Sequence, residues 1–572
     1  MGEKTIIVNG KKYKTTEKYL LQALEKLGFD IPHLCSHPDL EPIATCRLCV
    51  VEVNGRIRTS CNTIVEEKMN VITDSEELIE MRRHNLELIL SNHPLDCDYC
   101  YRNMHCELQR LAEKITNKTR YSGKQRKREK DESSIAILKD FDKCILCGRC
   151  IQICEKQTVN VFDYVNRGFE TIVGTAFDLP LSQTPCVSCG QCVLHCPTAA
   201  LIEKDETQPV LKAINNPDKF VIAQIAPAVR VTIGEELGLK PGVILTKKLV
   251  SALKRLGFDR VFDTSLGADL TIMEEAAELV SRLEQSKSLP MFTSCCPAWV
   301  SFVEEFYPEF IQNLSTTKSP HEILGAIIKT YYAEKNNIDP KNIVVVSIMP
   351  CTAKKEEARR TELKVNNLEV VDHVITTREL GKLLREFGVE IEKLEDSDFD
   401  DLMSASSAGQ IFGTTGGVME AALRTANYYL TGKNDTSRID YYEVRGLKGI
   451  KIANYKLGNK ELKVGVVNGL GNARKLLEKT RKGVLKLDFI EVMACPGGCI
   501  GGGGQPLTTT RAVIKKRMNA LYKIDKTFKL RLCHENPTVK KIYKEFLKKP
   551  LSEKAEKYLH TKYFRKRQYT LN

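Results

Sequence analysis

CILCGRCIQIC (144–154) and CVSCGQCVLHCP (186–197) carry one cysteine spacing, C-x2-C-x2-C-x3-C, written twice. Eight thiols at such intervals serve either as disulfides or as metal ligands. The chain has 21 cysteines in 572 residues, and its opening stretch MGEKTIIVNGKKYK offers no apolar signal core and no small-residue cleavage site. A cytoplasmic protein is therefore expected, in a compartment that keeps thiols reduced. Clustered cysteines in that setting are metal ligands. Fifteen of them lie between Cys35 and Cys196 and six between Cys295 and Cys533, so the front half is ligand-rich and the back half holds a different kind of site.

The repeated spacing resembles the two-cluster bacterial ferredoxins, in which the fourth cysteine of each run binds the other run's cluster. On that pattern Cys144, Cys147, Cys150 and Cys196 hold one 4Fe–4S cube, and Cys186, Cys189, Cys192 and Cys154 hold a second. Glu155 stands where a proline would close the first run, and about 31 residues separate the runs. Neither departure removes a ligand.

Two further groups lie upstream. Cys35, Cys46, Cys49 and Cys61 are spaced C-x10-C-x2-C-x11-C, and four loop thiolates suit a 2Fe–2S cluster of the plant-ferredoxin type, with a longer first loop. A structural zinc site stays open for this group. HPLDCDYCYRNMHC (93–106) supplies His93, Cys97, Cys100 and Cys106. Three thiolates with one imidazole suit a third 4Fe–4S cube or zinc. His105 adjoins Cys106, but the spacing favours His93. Four adjacent electron carriers with no catalytic group among them form a wire.

Charged residues make up 28% and hydrophobic ones 42% of the chain, as in ordinary globular proteins. Roughly 100–200 residues per domain gives three to five domains. No apolar run is long enough to cross a membrane. The formal charge of +13 omits the negative charge of metal-bound thiolates, so no nucleic-acid partner is expected. The basic run KTRYSGKQRKREK (118–130) reads as a solvated linker, and the basic residues 562–567 as a solvated tail. Asn9-Gly10 between two alternating segments predicts a hairpin.

From about Phe220 the pattern changes. FVIAQIAPAV (220–229), NIVVVSIMP (342–350), KVGVVNG (463–469) and DFIEVMA (488–494) read as buried strands. Thr271–Gln285 and Ala473–Thr480 read as helices between them. In such α/β domains ligands sit beyond the carboxyl ends of strands. Cys351, Cys495 and Cys499 fall there, with no histidine or carboxylate pair that would mark a hydrolytic zinc. Gly469-Leu470-Gly471 lacks the third glycine of a dinucleotide fingerprint and reads as a helix-opening turn. Cys533 in LRLCHENP stands alone and reads as structural.

TSCCPAW (293–299), MPCTAKKEE (349–357) and EVMACPGGCIGGGGQP (491–506) resemble, in order, the three signatures of the FeFe-hydrogenases. The front half is similar to the accessory domains of their long, monomeric, clostridial-type members. The resemblance implies a multidomain α/β and α+β chain, with N-terminal ferredoxin-like iron–sulfur domains followed by a two-lobed α/β catalytic domain. It implies a 2Fe–2S ferredoxin-like domain over 1–78, a His/Cys3-ligated 4Fe–4S domain over 79–118 and a basic linker over 119–136. A two-cube ferredoxin domain would follow over 137–210, then a catalytic domain over 211–510 and a small-subunit-like segment over 511–572.

The same resemblance implies the site. Cys296, Cys351, Cys495 and Cys499 would bind the 4Fe–4S cube of an H-cluster. Cys499 would bridge to a two-iron subsite carrying carbon monoxide, cyanide and an amine-dithiolate, made by maturation proteins. Cys295 would be the last proton donor, Lys354 would hydrogen-bond a cyanide, and Met349, Met493, Ala226 and Pro227 would line the apolar pocket. The glycines of 497–504 would let backbone approach the cluster. In MEEAAELVSRL (273–283), Glu275, Glu278 and Arg282 share one helix face. The family's proton path would run Arg282, Glu278, Ser315, Glu275, Cys295. His321 stands where many relatives have glutamine.

The expected activity is reversible reduction of protons to hydrogen by a monomer, with ferredoxin or flavodoxin as electron carrier. Two other readings stay open: an inactive iron–sulfur assembly or scaffold relative, and a subunit of an NAD-linked bifurcating hydrogenase. The large subunit of respiratory complex I is similar to the front half only.

Overall fold

The computed structural model describes residues 2–121, 128–401, 405–434 and 439–566. Part of the basic linker (122–127) and the end of the basic tail lie outside them. The chain forms two compact units: residues 1–184 with 191–202, and residues 185–190 with 203–572.

The first unit opens with a five-stranded sheet in the order β2-β1-β5-β3-β4, formed by β1 (Lys4–Val8), β2 (Lys11–Thr15), β3 (Val50–Val53), β4 (Arg56–Thr59) and β5 (Asn70–Ile72). The Asn9-Gly10 turn joins β1 to β2 with positive φ at both residues, 48° and 79°, as the expected two-residue hairpin requires. Ile6, Val8, Val51, Val53 and Val71 face a core closed by Leu20 and Leu24. A second core joins Leu86 and Leu90 of the helix Glu76–Leu90 to Leu108 and Leu111 of the helix Glu107–Ile115. Ser75 caps the first of these helices by accepting from the Leu78 amide at 3.3 Å.

The duplicated cysteine runs each lead into a short helix, Arg149–Lys156 and Gln191–His195, and the two helices pack together. The strand β6 (Ile137–Lys139) pairs with β9 (Leu201–Glu203), and the residues between the runs form the hairpin β7 (Asp163–Val165) and β8 (Ile172–Gly174). Arg149, 2% exposed, ties these parts together. Its guanidinium donates to the Ser36 carbonyl at 2.6 Å and to both Glu107 oxygens at 2.7 and 2.9 Å.

The second unit contains two four-stranded sheets, the two lobes expected from the sequence. One has the order β11-β10-β13-β14 and is fully parallel, from β10 (Phe220–Ile225), β11 (Arg260–Asp263), β13 (Ile343–Met349) and β14 (His373–Thr376). The other has the order β12-β17-β16-β15, from β12 (Met291–Phe292), β15 (Ile450–Leu457), β16 (Lys460–Asn468) and β17 (Phe489–Met493). Only β15 runs antiparallel there. All seven residues of β13 and all five of β17 are buried, hence their runs are apolar except at Ser347 and Glu491.

The helix Thr264–Gln285 packs against the helices Pro320–Ile327 and Gly417–Thr431. Asp263 caps it by accepting from the Ser265 amide at 2.8 Å. Residues 511–566 complete this core: the Glu274 carboxylate accepts from the Tyr543 hydroxyl and, at 2.8 Å, from the Leu551 amide, and lies 3.1 Å from His560 Nε2. No helix among the described residues is long and apolar enough to cross a membrane.

Candidate metal centres

In the second unit the cysteines arrive from three directions. Cys295 and Cys296 follow β12, and Pro297 opens the next helix; Cys351 follows β13, and Cys495 and Cys499 follow β17. All five line one cavity, with Ala226, Pro227, Met349, Lys354 and Met493 on its walls. His321, Phe412 and Thr264 complete that wall. None of the five cysteines forms a disulfide. Burial pushes the Cys351 thiol up to about 12 and also raises Cys296, Cys495 and Cys499. Soft sulfur donors in an apolar cavity, stable as thiolates only with a cation among them, fit an iron–sulfur cluster. The Ala494 amide donates to Cys296 Sγ at 3.4 Å, the kind of hydrogen bond that tunes such a cluster.

Gly498 and Gly502 line the same cavity, and the glycine run also packs closely on the protein's own backbone. A Cβ on Gly502 would meet the Pro350 carbonyl oxygen at 2.2 Å, one on Gly501 the Pro496 oxygen at 2.1 Å, and one on Gly503 the Cys189 oxygen at 2.3 Å. These glycines are required by the protein's own backbone, which folds tightly behind the cysteines.

Lys354 lies in the cavity wall with its ammonium 2.5 Å from Glu357 Oε2, 2.8 Å from Ser319 Oγ and 3.2 Å from the Cys295 carbonyl oxygen. His321 Nε2 is 2.6 Å from that same Glu357 oxygen, and its Nδ1 is 3.2 Å from Ser347 Oγ. A carboxylate only accepts, so Nε2 carries the hydrogen. Burial raises the Glu357 carboxyl, but the Lys354 and His321 charges outweigh it and hold it low. His321 thus serves the carboxylate that holds Lys354, a role its position in the sequence did not reveal.

Behind Cys295 stands a line of polar groups. Glu275 is 1% exposed, and its Oε2 has no partner. Burial, then the charges of Glu278 and Glu491, push its carboxyl to about 8, and the Ser315 hydroxyl only partly offsets them. Ser315 Oγ donates to Glu278 Oε2 at 2.7 Å, and the Arg282 guanidinium donates to Glu278 Oε1 at 2.6 Å. Arg282 also donates to the carbonyls of Ser288, Asn313 and Leu314. The Thr316 amide, unforeseen from sequence, donates to Glu278 as well.

In the first unit, Cys97, Cys100, Cys106 and His93 line one cavity. His93 Nδ1 lies 2.8 Å from the Pro94 carbonyl oxygen, which can only accept. The hydrogen is therefore on Nδ1, leaving the Nε2 lone pair free, and buried Nε2 has no partner. That is the arrangement of an imidazole prepared for a metal. His105 does not line this cavity. Cys144, Cys147, Cys150 and Cys196 line another, with Pro197 and Thr198.

Leu146 and Gly148 in the first run and Ser188 and Gly190 in the second all have positive φ, 54°, 74°, 54° and 66°. The duplication therefore extends to backbone conformation. Cys154 and Cys192 belong to the first unit, and Cys186 and Cys189 to the second. The Cys35 thiol is within hydrogen-bonding reach of Cys46 and Cys61, and Cys49 is within reach of Cys61. Ala44 and Arg47, on either side of Cys46, have φ of 57° and 56°, so the chain bends sharply around these four sulfurs. Cys533 is 1% exposed and accepts from Ser406 Oγ at 3.8 Å.

Residues 219–503 match the iron only hydrogenase large subunit, C-terminal domain, and residues 511–566 the iron hydrogenase small subunit. The chain is 47% identical to the NADP-reducing hydrogenase subunit HndD of Solidesulfovibrio fructosivorans, over 99% of this chain and 100% of that one. It is 41% identical to iron hydrogenase 1 of Clostridium pasteurianum, over 98% and 100%.

The chain belongs to the iron-only hydrogenases. The solved structure of apo FeFe-hydrogenase HydA1 from Chlamydomonas reinhardtii matches 63% of this hydrogenase and 99% of that chain, at 44% identity and a TM-score of 0.58. In the front half, residues 3–76 match a 2Fe–2S iron-sulfur cluster binding domain and 143–200 a 4Fe–4S dicluster domain. Residues 82–120 match the NADH-ubiquinone oxidoreductase-G iron-sulfur binding region. This hydrogenase is thus an iron–sulfur oxidoreductase, with ferredoxin-type domains preceding an FeFe-hydrogenase catalytic domain.

Proposed function

We propose that this hydrogenase reduces protons to hydrogen reversibly, two protons and two electrons giving one molecule, with ferredoxin as the electron carrier. The observation that carries the reading is the single buried cavity shared by Cys295, Cys296, Cys351, Cys495 and Cys499. Cys296, Cys351, Cys495 and Cys499 would hold the H-cluster, whose two-iron subsite, when bound, supplies the place where protons and electrons combine. Met349, Met493, Ala226 and Pro227 exclude water from it, and Lys354 presents a cation fixed by Glu357.

Protons reach the cavity along side chains. Arg282 holds Glu278 where its carboxyl can take a proton from the surface side. Ser315 Oγ accepts that proton while passing its own to Glu275. Glu275, neutral at pH 7, restores the proton that Cys295 Sγ gives up to the cavity. One 2Fe–2S cluster and three 4Fe–4S cubes would carry electrons inward, on Cys35, Cys46, Cys49 and Cys61; on His93, Cys97, Cys100 and Cys106; and on the eight cysteines of the duplicated runs. Twenty metal ligands, nineteen of them thiolates, support a reducing, cytoplasmic setting, and maturation proteins would supply the two-iron subsite to a monomer.

Cys295→Ser should keep full iron content and lose nearly all hydrogen evolution from a chemical reductant; full activity would refute the proton role. An acidic ferredoxin would be drawn to basic surface on the front domains, so added salt should slow its electron transfer. The full-length similarity to an NADP-reducing hydrogenase subunit favours a second reading, in which partner chains pass electrons between this chain and a nicotinamide. Co-purification with flavin-containing partners, and failure of the lone chain to accept electrons from ferredoxin, would favour it. The chain is also 30% identical over 67% of its length to the mouse cytosolic iron-sulfur assembly component 3. Infrared bands of bound carbon monoxide and cyanide in the matured protein separate hydrogenase from scaffold, which would show none.

A further inference from the structure

The cavity lined by Cys144, Cys147, Cys150 and Cys196 also has Lys139 in its wall. This lysine ends β6 and is 3% exposed. Its ammonium donates to the Val173 carbonyl and lies 4.4 Å from the centre of the Phe141 ring and 4.7 Å from that of Phe162. A carbonyl and two ring faces hold a cation without neutralising it. Nearby lysines differ: Lys130 and Lys143 pair with Asp140 and Asp96, each at 3.3 Å. Burial is the larger effect and draws Lys139 below the usual lysine range, while the charges of Cys150 and Cys144, ahead of Asp131, favour the ammonium.

We propose that Lys139 tunes the cube held by Cys144, Cys147, Cys150 and Cys196, making it easier to reduce than its four thiolates alone would allow. The inference rests on those cysteines being its ligands. One-electron reduction adds a negative charge to the cube and takes one electron from the carrier before it. A fixed cation in a low-dielectric wall favours the reduced form over the oxidised one. Val173 and the two aromatic rings position the ammonium, so charge, geometry and burial act together. The tuned cube would be a resting place for electrons arriving from upstream carriers.

The test uses the full-length chain with its clusters assembled, poised at set potentials with mediators and read by electron paramagnetic resonance. Cys147→Ser identifies which signal belongs to this cube. If no signal responds to it, the ligand assignment fails and the proposal with it. In Lys139→Met the reduced-to-oxidised ratio of that signal at a fixed poise should fall about tenfold, 59 mV for one electron, with the other signals unmoved. Lys139→Arg should stay within about twofold of wild type. An unshifted signal in an iron-replete Lys139→Met protein would overturn the proposal, as would equal movement of every cluster or an Arg variant that shifts as far as Met. If Lys139→Met loses the cube, Lys139→Gln replaces it. Loss of the cube in both neutral variants, with retention in Lys139→Arg, would assign the cation to assembly and overturn the tuning role.

Discussion

Glu275 shows what one buried carboxyl does to the molecule. Its folded value of about 8 compares with about 4.3 in an unfolded chain. Between these values the folded state holds a proton that the unfolded state has released. The stability this group contributes is therefore complete below about pH 4.3 and disappears as pH rises through 8. In Glu275→Gln that loss is absent, so the variant's melting temperature should gain on wild type between pH 5 and pH 8; parallel curves would show that Glu275 is ionised in the fold. The order of Glu275, Glu278 and Arg282 could be seen in the sequence, because a helix repeats every few residues. The His321–Glu357 pair could not. It joins positions on separate elements, and nothing local to either predicts their meeting.

Among the elements, buried strands were legible. The runs at Phe220–Ile225, Ile343–Met349 and Phe489–Met493 are apolar but for one polar residue each, Gln224, Ser347 and Glu491, as suits strands buried on both faces. β14 and β12 went unread because four and two residues leave no period to detect. The helix expected from Thr271 begins at Thr264; in its first turns, TSLGADL, the Thr, Ser, Gly and Asp around Leu266 and Leu270 are weak helix formers in isolation. The backbone demand on the glycines was also hidden, since it depends on where Pro350 ends. Gly502 has an ordinary φ of −65°, so an added methyl meets only crowding. Gly502→Ala should destabilise the second unit by about 1–3 kcal/mol and loosen iron held through Cys351 and Cys499, as denaturant titration and iron analysis would reveal.

At the scale of the whole molecule, the two units differ in what holds them. The second has a large continuous apolar core. The first divides its apolar residues between smaller clusters and has many of its cysteines in irregular loops, so its folding energy should depend heavily on bound metal. Calorimetry of the iron-loaded and iron-stripped protein should show the transition of the first unit falling far more than that of the second. Equal falls would mean that the first unit holds itself together without metal.

Glu274, reached from positions 543, 551 and 560, has a consequence for biosynthesis. A ribosome delivers residues 1–184 and 191–202, the first unit, early, and that unit can close while translation continues. The helix bearing Glu274 must wait, half-dressed, for nearly three hundred more residues before its last neighbours emerge. A messenger cut short of codon 560 should therefore yield a chain whose leading unit is mature and whose trailing unit is prey to proteases.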